Sequence, residues 1–261
     1  MTEQWFRMPP ARPDAGTRLV CLPYAGGSAA MYHTWDQLVP NDVEVCPAEL
    51  PGRGRRIGEQ PFSRLPPLVH ALADAMKPLL DRPFALFGHS LGGLVAFELT
   101  RLLRRRGWPL PRNLFVSASA APARHREPVL HNFSDAELKT RLRSLNGTPP
   151  EILDNDELME LILPVIRADF AVLESYEYQQ ELPLDVPITV FGGIHDRTVR
   201  PSQLEGWRSQ STRPHLRLLP GDHFFIHPMA SEVVRLVVAD LTPASAEPRR
   251  SAQPRGHPGS I

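Results

Sequence analysis

Short runs of apolar residues alternate along this chain with longer segments in which apolar residues recur every three or four positions. The short runs are typical of buried strands, and the longer periodic segments indicate amphipathic helices. In residues 66–80, for example, Leu68, Leu72, Met76 and Leu79 share one helical face. The predicted strands are residues 18–22, 42–46, 84–87, 113–117, 188–191 and 216–219. The predicted helices between and after them are residues 30–38, 66–80, 91–106, 202–209 and 231–241.

The alternation of strands and helices stops between residues 122 and 180, where helical patterns occur without clear strands. A capping box begins one of these helices, with Ser134 as the N-cap and Glu137 three residues later. A second helical stretch, residues 156–176, is expected to be interrupted at Pro164. Because this insertion follows the fourth predicted strand, it can lie over the end of the sheet as a lid.

Strands that alternate with helices predict the α/β class, with a mostly parallel sheet flanked by helices. Residues 17–242 are predicted to form this domain, with the helical lid insertion at about 122–180. Residues 1–16 are predicted to be an N-terminal lead-in. Residues 243–261 are rich in Pro, Ser, Ala and Arg and are predicted to be disordered. Ligands of such sheets bind at the carboxyl ends of the strands.

The gross composition narrows the range of functions. The chain has 261 residues with 29 basic and 29 acidic side chains, and this balance argues against nucleic-acid binding. No apolar stretch approaches the ~18 residues of a membrane span, and the N-terminus lacks the apolar core of a signal peptide. The two cysteines, Cys21 and Cys46, fall in predicted buried strands, which favours a reducing cytoplasm over a disulfide scaffold.

One segment, Gly88-His89-Ser90-Leu91-Gly92-Gly93, carries the strongest chemical signal. It lies between a predicted strand and a predicted helix, which is the arrangement of a nucleophile elbow. The turn is so tight that a side chain at Gly88 or Gly92 would collide with neighbouring backbone. The geometry exposes the Ser90 hydroxyl above the sheet and aims the Leu91 N–H at the carbonyl that the serine attacks. Alternatively, the segment is only a glycine-rich connection in which Ser90 caps the helix.

A serine nucleophile needs a base, and histidine suits that role at neutral pH. His223 lies between the last predicted strand and the last predicted helix, where the Ser–acid–His order of α/β-hydrolases puts the base. Asp196, just after the fifth predicted strand, is the predicted acid that orients the imidazole. Asp222 is only the second choice for the acid, because a side chain adjacent in sequence to His223 usually points away from its ring. Asp185 precedes the fifth predicted strand and so lies at the wrong end of the sheet. The alternative for His223 is a loop histidine held by local hydrogen bonds.

An oxyanion hole needs two backbone N–H groups. Leu91 is predicted to supply one, and Ala25 to supply the other from the glycine-containing loop within residues 22–28. Glycines in that loop let the backbone approach a substrate closely. The alternative is a plain glycine turn without a chemical role.

Together, these motifs resemble the type II (external, editing) thioesterases that accompany polyketide synthases and nonribosomal peptide synthetases, within the α/β-hydrolase superfamily. The resemblance runs from about residue 18 to residue 241. It rests on five segments: Leu22-Pro23-Tyr24-Ala25-Gly26-Gly27-Ser28, Leu50-Pro51-Gly52-Arg53-Gly54-Arg55-Arg56, Gly88-His89-Ser90-Leu91-Gly92-Gly93, Arg167-Ala168-Asp169-Phe170 and Pro220-Gly221-Asp222-His223-Phe224-Phe225.

The resemblance implies an α/β-hydrolase fold with a helical lid, and an enzyme that removes aberrant or stalled acyl groups from the phosphopantetheine arm of carrier proteins. It implies Ser90 as nucleophile, His223 as general base and Asp196 as the orienting acid. It also implies Ala25 and Leu91 as oxyanion donors. It further implies a monomer that has no cofactor of its own and whose partners are acyl or peptidyl carrier domains. The acid loop departs from the family's usual adjacent aspartates followed by proline, since Asp196 is followed by arginine.

Three expectations concern residues outside the triad. Arg53, Arg55 and Arg56 either meet an acidic carrier protein or the pantetheine phosphate, or they face solvent. Arg167 and Asp169 are expected to pair at the base of the lid, without a catalytic role. The apolar stripes of the lid helices, expected to form core or to line an acyl chamber, are Leu138, Leu142, Leu145, Leu158, Leu161, Ile162, Val165 and Ile166.

Two other functions compete with the thioesterase hypothesis. One is a carboxylesterase-type serine hydrolase that acts on free esters, and the other is a non-catalytic module that binds carrier proteins. The rate of hydrolysis of carrier-bound thioesters, compared with that of simple esters, distinguishes the carboxylesterase from a thioesterase. Loss of hydrolysis with retained carrier binding in Ser90→Ala excludes the second.

Overall fold

The short apolar runs form the strands of a parallel sheet, as predicted. This computed structural model describes residues 2–7, 12, 14–124 and 130–242, and within them the sheet has six strands. Their order is β2-β1-β3-β4-β5-β6, and every neighbouring pair is parallel. The strands are β1 (Thr17–Leu22), β2 (Val43–Pro47), β3 (Phe84–His89), β4 (Leu114–Ser117), β5 (Ile188–Gly193) and β6 (Pro214–Leu219).

Helices connect the strands and flank the sheet, which confirms the predicted α/β class. Three of them, α5 to α7 in the list below, form an insertion between β4 and β5 and make up the predicted lid. The helices of the described residues are α1 (Thr2–Trp5), α2 (Trp35–Leu38), α3 (Leu65–Met76), α4 (Leu91–Arg105), α5 (Asp135–Leu145), α6 (Pro150–Leu153), α7 (Asp156–Glu174), α8 (Pro201–Leu204) and α9 (Ala230–Leu241).

Each face of the sheet buries its own core, because successive side chains of a strand point to opposite faces. In β3, Leu86 packs into one core with residues of α3, α4 and the lid helices. Ala85 and Phe87 pack into the second core, with residues of α2 and α9. Strands that are buried on both faces are expected to be apolar along their whole length, and the short apolar runs in the sequence have this property.

The lid helices follow the predicted pattern except at one residue. The Ser134 side chain accepts a hydrogen bond from the Glu137 N–H and the Glu137 side chain accepts from the Ser134 N–H, which confirms the capping box. The predicted interruption at Pro164 is wrong, because α7 continues through this residue. Proline removes one backbone donor, but the neighbouring residues Leu163 and Val165 are buried and their packing supports the helix.

The predicted helix over residues 30–38 is also wrong in its length. The segment instead forms a 3-10 turn at Ala29–Tyr32, followed by the single turn of α2. Tyr32 and Trp35 are both buried and meet edge to face, with ring centroids 4.9 Å apart. Burial of both rings therefore outweighs the helical periodicity of the segment.

The N-terminal segment packs on the body of the domain. Trp5 and Phe6 are buried, and Phe6 forms a bridge with Ala48 beyond β2. The guanidinium of Arg56 lies 4.1 Å above the Trp5 ring, a cation–π contact. The predicted disorder of residues 243–261 falls outside the described residues. No helix in the described ranges is both long and apolar enough to span a membrane.

Candidate active site

Ser90 lies at the turn between β3 and α4 with a strained backbone, at φ 53° and ψ −115°. A Cβ added to Gly88 would lie 2.0 Å from the carbonyl oxygen of Gly92, and one added to Gly92 would lie 2.2 Å from that of Leu22. Only glycine fits either position, so the predicted collisions are confirmed. The Ser90 N–H donates to the carbonyl of Ser117 at 2.7 Å, which ties the turn to β4.

The structure brings the three predicted triad side chains into one hydrogen-bonded row. His223 Nε2 lies 3.2 Å from Ser90 Oγ, and His223 Nδ1 lies 2.8 Å from Asp196 Oδ2. A carboxylate can only accept, so Nδ1 carries the proton and Nε2 can accept from the serine hydroxyl. Asp196 Oδ1 accepts from the N–H groups of Thr198 at 2.7 Å and Val199 at 2.9 Å. These bonds fix the carboxylate that orients the ring.

The loops that carry the acid and the base lie directly against each other. The His195 N–H donates to the Gly221 carbonyl at 3.0 Å, and a Cβ added to Gly193 would lie 2.4 Å from the Asp222 carbonyl oxygen. The Asp222 carboxylate, the second choice for the acid, is exposed and accepts from its own loop. Asp185 lies before β5, at the opposite end of the sheet. Asp196 is therefore the carboxylate that meets the imidazole.

His89, to which sequence analysis gave no role, ties the elbow to the loop of His223. Its ring is fully buried, with Nε2 2.9 Å from the His223 carbonyl oxygen and Nδ1 2.9 Å from Ser117 Oγ. Burial, together with the nearby His223 ring, lowers the pKa of His89 well below its ordinary value, so the ring is neutral. Nε2–H therefore donates to the His223 carbonyl, and Nδ1 accepts from the Ser117 hydroxyl.

The two predicted oxyanion donors lie next to Ser90. Leu91 is the first residue of α4, so its N–H has no acceptor within the helix. Ala25 lines the same pocket as Ser90. Among the described residues, neither N–H has a protein acceptor. The next N–H of the loop, that of Gly26, donates instead to Asp169 Oδ2 at 2.7 Å.

Asp169 connects the lid helix α7 to this loop. Its carboxylate accepts from Arg53 Nη1 at 2.7 Å and from Nη2 at 2.9 Å, and Arg53 Nη1 also donates to the Gly27 carbonyl at 3.1 Å. Both side chains are buried, at 2 % exposure for Asp169 and 6 % for Arg53. Ile166, one turn earlier on α7, packs so closely on Gly26 that a Cβ there would lie 2.8 Å from its Cγ1. The lid–loop ion pair, Arg53 with Asp169, thus holds the lid and the Ala25 loop together.

This ion pair corrects two expectations. Arg167 and Asp169 do not pair with each other, because residues two apart on a helix face different directions. Arg167 pairs instead with Asp135 at 2.6 Å. Arg53 and Arg56 neither face solvent nor present themselves to a carrier protein, since both are buried. Arg56 pairs with a glutamate of its own loop, and the third arginine of the group is exposed.

The lid forms one wall of the pocket above Ser90. Of the predicted apolar stripes, Leu142 and Leu145 line this pocket. Leu158 and Leu161 do not, because they lie on the outer face of α7 and are 42 % and 56 % exposed. The expectation of an acyl chamber therefore applies to α5, whereas α7 lines the pocket through Phe170 and Leu173, which lie outside the predicted stripe.

Phe224 closes the pocket around the imidazole. Its ring meets the His223 ring edge to face at 5.1 Å and the Tyr24 ring at 5.1 Å. A Cβ added to Gly147 of the lid would lie 2.0 Å from the Phe224 ring. The aromatic side chain beside the base is thus covered by the lid.

For two of these residues, His89 and Asp169, the sequence indicates that the side chain needs a partner but does not identify the partner. His89 is a polar residue at the end of an apolar strand, and a buried polar side chain must find hydrogen-bond partners. Asp169 falls three residues after Ile166 on the apolar stripe of α7, where a carboxylate must be paired. Neither signal points to His223 or to Arg53.

Comparisons with known proteins identify the family that this chain matches. Residues 17–241 match the family model described as Thioesterase domain. The gramicidin S biosynthesis protein GrsT of Aneurinibacillus migulanus is 40 % identical over 240 residues, which cover 91 % of this chain and 94 % of that protein. The structure of RedJ, a thioesterase from the prodiginine pathway of Streptomyces coelicolor, matches with a TM-score of 0.84 at 38 % identity, covering 89 % and 93 % of the two chains. YbtT, a type II thioesterase from the yersiniabactin NRPS/PKS pathway, matches with a TM-score of 0.80 at 35 % identity, covering 88 % and 95 %.

Replacement of His89 is expected to flatten the pH dependence of stability. In the unfolded chain His89 takes up a proton near pH 6.5, whereas the buried ring stays neutral, so stability falls as the pH drops below that value. Between pH 7.5 and pH 5.5, the unfolding free energy of the wild type, measured with urea, should therefore fall by about 1.4 kcal/mol more than that of His89→Gln. Equal losses in the two proteins would contradict the neutral, buried assignment.

Removal of the Asp169 charge is expected to destabilise the fold and slow the reaction. Asp169→Asn leaves the Arg53 guanidinium buried without a counter-charge, which costs about 3–5 kcal/mol in unfolding free energy. It also loosens the loop that carries the Ala25 N–H, so kcat falls more than KM rises. Denaturant unfolding and steady-state kinetics measure the two effects.

Arg167→Gln is the matched control, because it removes a neighbouring ion pair of the same helix that is less buried, with Arg167 25 % and Asp135 68 % exposed. We expect it to change the unfolding free energy by at most about 1 kcal/mol. Equal effects of the two variants would rule out a special role for the lid–loop ion pair.

Proposed function

The chain belongs to the thioesterase domain family, and from that premise we propose that it is a type II thioesterase acting on acyl groups held on the phosphopantetheine arm of carrier proteins. It removes aberrant or stalled intermediates during polyketide or nonribosomal peptide synthesis. The observation that carries this proposal is the row of Ser90, His223 and Asp196 beneath a partly apolar lid. GrsT belongs to gramicidin S biosynthesis and YbtT to an NRPS/PKS pathway, which supports the substrate class.

The first half of the reaction transfers the acyl group to Ser90. His223 Nε2 takes the hydroxyl proton as Ser90 Oγ attacks the thioester carbonyl carbon. The Asp196 carboxylate stabilises the imidazolium that forms. The negative charge of the tetrahedral intermediate meets the N–H groups of Leu91 and Ala25, each of which is worth roughly 10²–10³ in rate. The carbon–sulfur bond then breaks, and the pantetheine thiol leaves with the proton from His223.

The second half of the reaction releases the acyl group as a carboxylic acid. A water molecule gives a proton to His223 Nε2 as it attacks the acyl carbon of the ester on Ser90. A second tetrahedral intermediate forms in the same oxyanion hole. Its collapse breaks the bond to Ser90 Oγ, which recovers its proton from His223. The site therefore returns to its starting state without any further reactant.

A thioester suits this site better than an ester or amide. A thiol has a reference pKa of about 8.5, far below that of an alcohol, so its expulsion needs less help from an acid. The imidazolium of His223 is the acid that this site offers. Hydrolysis of free esters by the same residues is thus a slower side reaction in this account.

The state of the cysteines supports a reducing compartment, the cytoplasm, as the place of action. Cys21 and Cys46 are free and buried on neighbouring strands. Burial raises the pKa of the Cys46 thiol to about 12, so it stays protonated and unreactive.

Ser90→Ala is expected to abolish turnover of carrier-bound thioesters while carrier binding is retained. Loss of the nucleophile should lower kcat by at least about 10³-fold. The assay uses carrier proteins loaded with a panel of acyl groups, with ethyl esters of the same acids for comparison. Ser209→Ala, at an exposed serine of a 3-10 turn, is the matched control and should keep wild-type activity.

Three outcomes would contradict the proposal. Full activity in Ser90→Ala excludes every hydrolase mechanism that uses this serine. Higher kcat/KM for the free esters than for the carrier thioesters identifies a carboxylesterase. Carrier binding without turnover in the wild type identifies a binding module.

A further inference from the structure

Arg141 differs from the other cationic residues of the lid helices. It lines the pocket that contains Ser90 and His223. Within the described residues, α5 and α7 carry three more cationic side chains, and each of those forms an ion pair with an aspartate. These pairs are Lys139–Asp156, Arg143–Asp154 and Arg167–Asp135.

The guanidinium of Arg141 has no such carboxylate in the described part of the chain. Its one hydrogen bond there joins Nη1 to Ser144 Oγ at 3.4 Å, which is long for a hydrogen bond. A guanidinium has five N–H donors, so most of its donor capacity is unused. The side chain is partly buried, beside Leu142 and Leu145 of the pocket wall. A cation in such surroundings is stabilised by an anion.

We propose that Arg141 forms an anion subsite of the substrate pocket, which binds an oxyanion group of the acyl-pantetheine substrate. This inference rests on the proposed function, since it concerns the substrate of the same site. Two parts of such a substrate offer the required chemistry. One is a carboxylate at the far end of a dicarboxylic acyl group, and the other is the phosphate of the pantetheine arm.

The geometry of the guanidinium suits either group. Its planar fork donates two parallel hydrogen bonds to a carboxylate or a phosphate, which are stronger than bonds between neutral groups. Arg141 lines the pocket together with Leu142 and Leu145, and the aliphatic stem of an arginine packs favourably along apolar surface. The subsite therefore adds charge selectivity to a pocket whose other lid contacts are uncharged.

Four thioesters separate the two sources of the anion. Butyryl and malonyl groups have similar size but differ in the terminal carboxylate, and each is joined to pantetheine and to 4′-phosphopantetheine. The kcat/KM of each substrate is measured for the wild type, Arg141→Gln, Arg141→Lys and Arg143→Gln. Arg143→Gln is the matched control, because Arg143 belongs to the same helix and is paired with Asp154.

The informative quantity is the ratio of kcat/KM for an anionic substrate to that for butyryl-pantetheine, which carries no anion. In Arg141→Gln this ratio is expected to fall at least tenfold, and Arg141→Lys should recover part of it. A fall for malonyl-pantetheine assigns the subsite to the acyl carboxylate. A fall for butyryl-4′-phosphopantetheine assigns it to the arm phosphate. Unchanged ratios in Arg141→Gln, or an equal fall in Arg143→Gln, would overturn the proposal.

Binding provides a readout that does not depend on turnover. Calorimetry with the same four compounds compares Ser90→Ala with Ser90→Ala/Arg141→Gln, and at least a tenfold rise in Kd is expected for the anionic ones only. If the wild type hydrolyses neither these compounds nor the carrier-bound thioesters, the proposed function fails, but this comparison still tests the subsite. If Kd for every compound is the same in both proteins, the subsite is excluded even when hydrolysis is normal.

Discussion

The close approach of the nucleophile elbow to the end of the first strand is the constraint on which the site depends. The backbone at Gly92 passes so near Leu22 that a Cβ would lie 2.2 Å from its carbonyl oxygen. Because Leu22 ends β1, the loop that carries Ala25 begins at this contact. The same contact that requires glycine therefore sets the loop of Ala25, the proposed oxyanion donor, beside Ser90. The backbone strain at Ser90, φ 53°, costs on the order of 1–3 kcal/mol and persists because the surrounding packing fixes it.

The parallel sheet supplies the rest of the site at the same edge. Ser90 follows β3, Asp196 follows β5 and His223 follows β6, so all three lie at the carboxyl ends of strands. His89 links the elbow to the base through the His223 carbonyl. The lid–loop ion pair, Arg53 with Asp169, links the lid to the loop that carries Ala25. A buried ion pair contributes little net stability, so its value here lies in holding two segments in a fixed relation.

The sequence was most informative where structure is determined locally. Apolar runs, Gly88 in the turn at Ser90 and the capping box at Ser134 depend on near neighbours, and the structure agrees with each of them. The order of Ser90, Asp196 and His223 could be interpreted because a parallel sheet brings strand ends together. Contacts between distant segments could not be predicted in this way, since Arg53 and Asp169 are 116 residues apart and His89 and His223 are 134 apart. Tertiary packing also overrode local pattern in two places, at the buried Tyr32 and Trp35 rings and at Pro164 within α7.

Rapid acid quenching followed by peptide mass spectrometry tests the central claim, acyl transfer through Ser90, most directly. An acyl-loaded carrier protein is mixed with the enzyme for less than one turnover, and the digested enzyme is searched for the acyl mass. The account predicts the acyl group on the peptide that contains Ser90, formed before the free acid is released. An acyl group on another residue, or release of acid by Ser90→Ala at the wild-type rate, would contradict it.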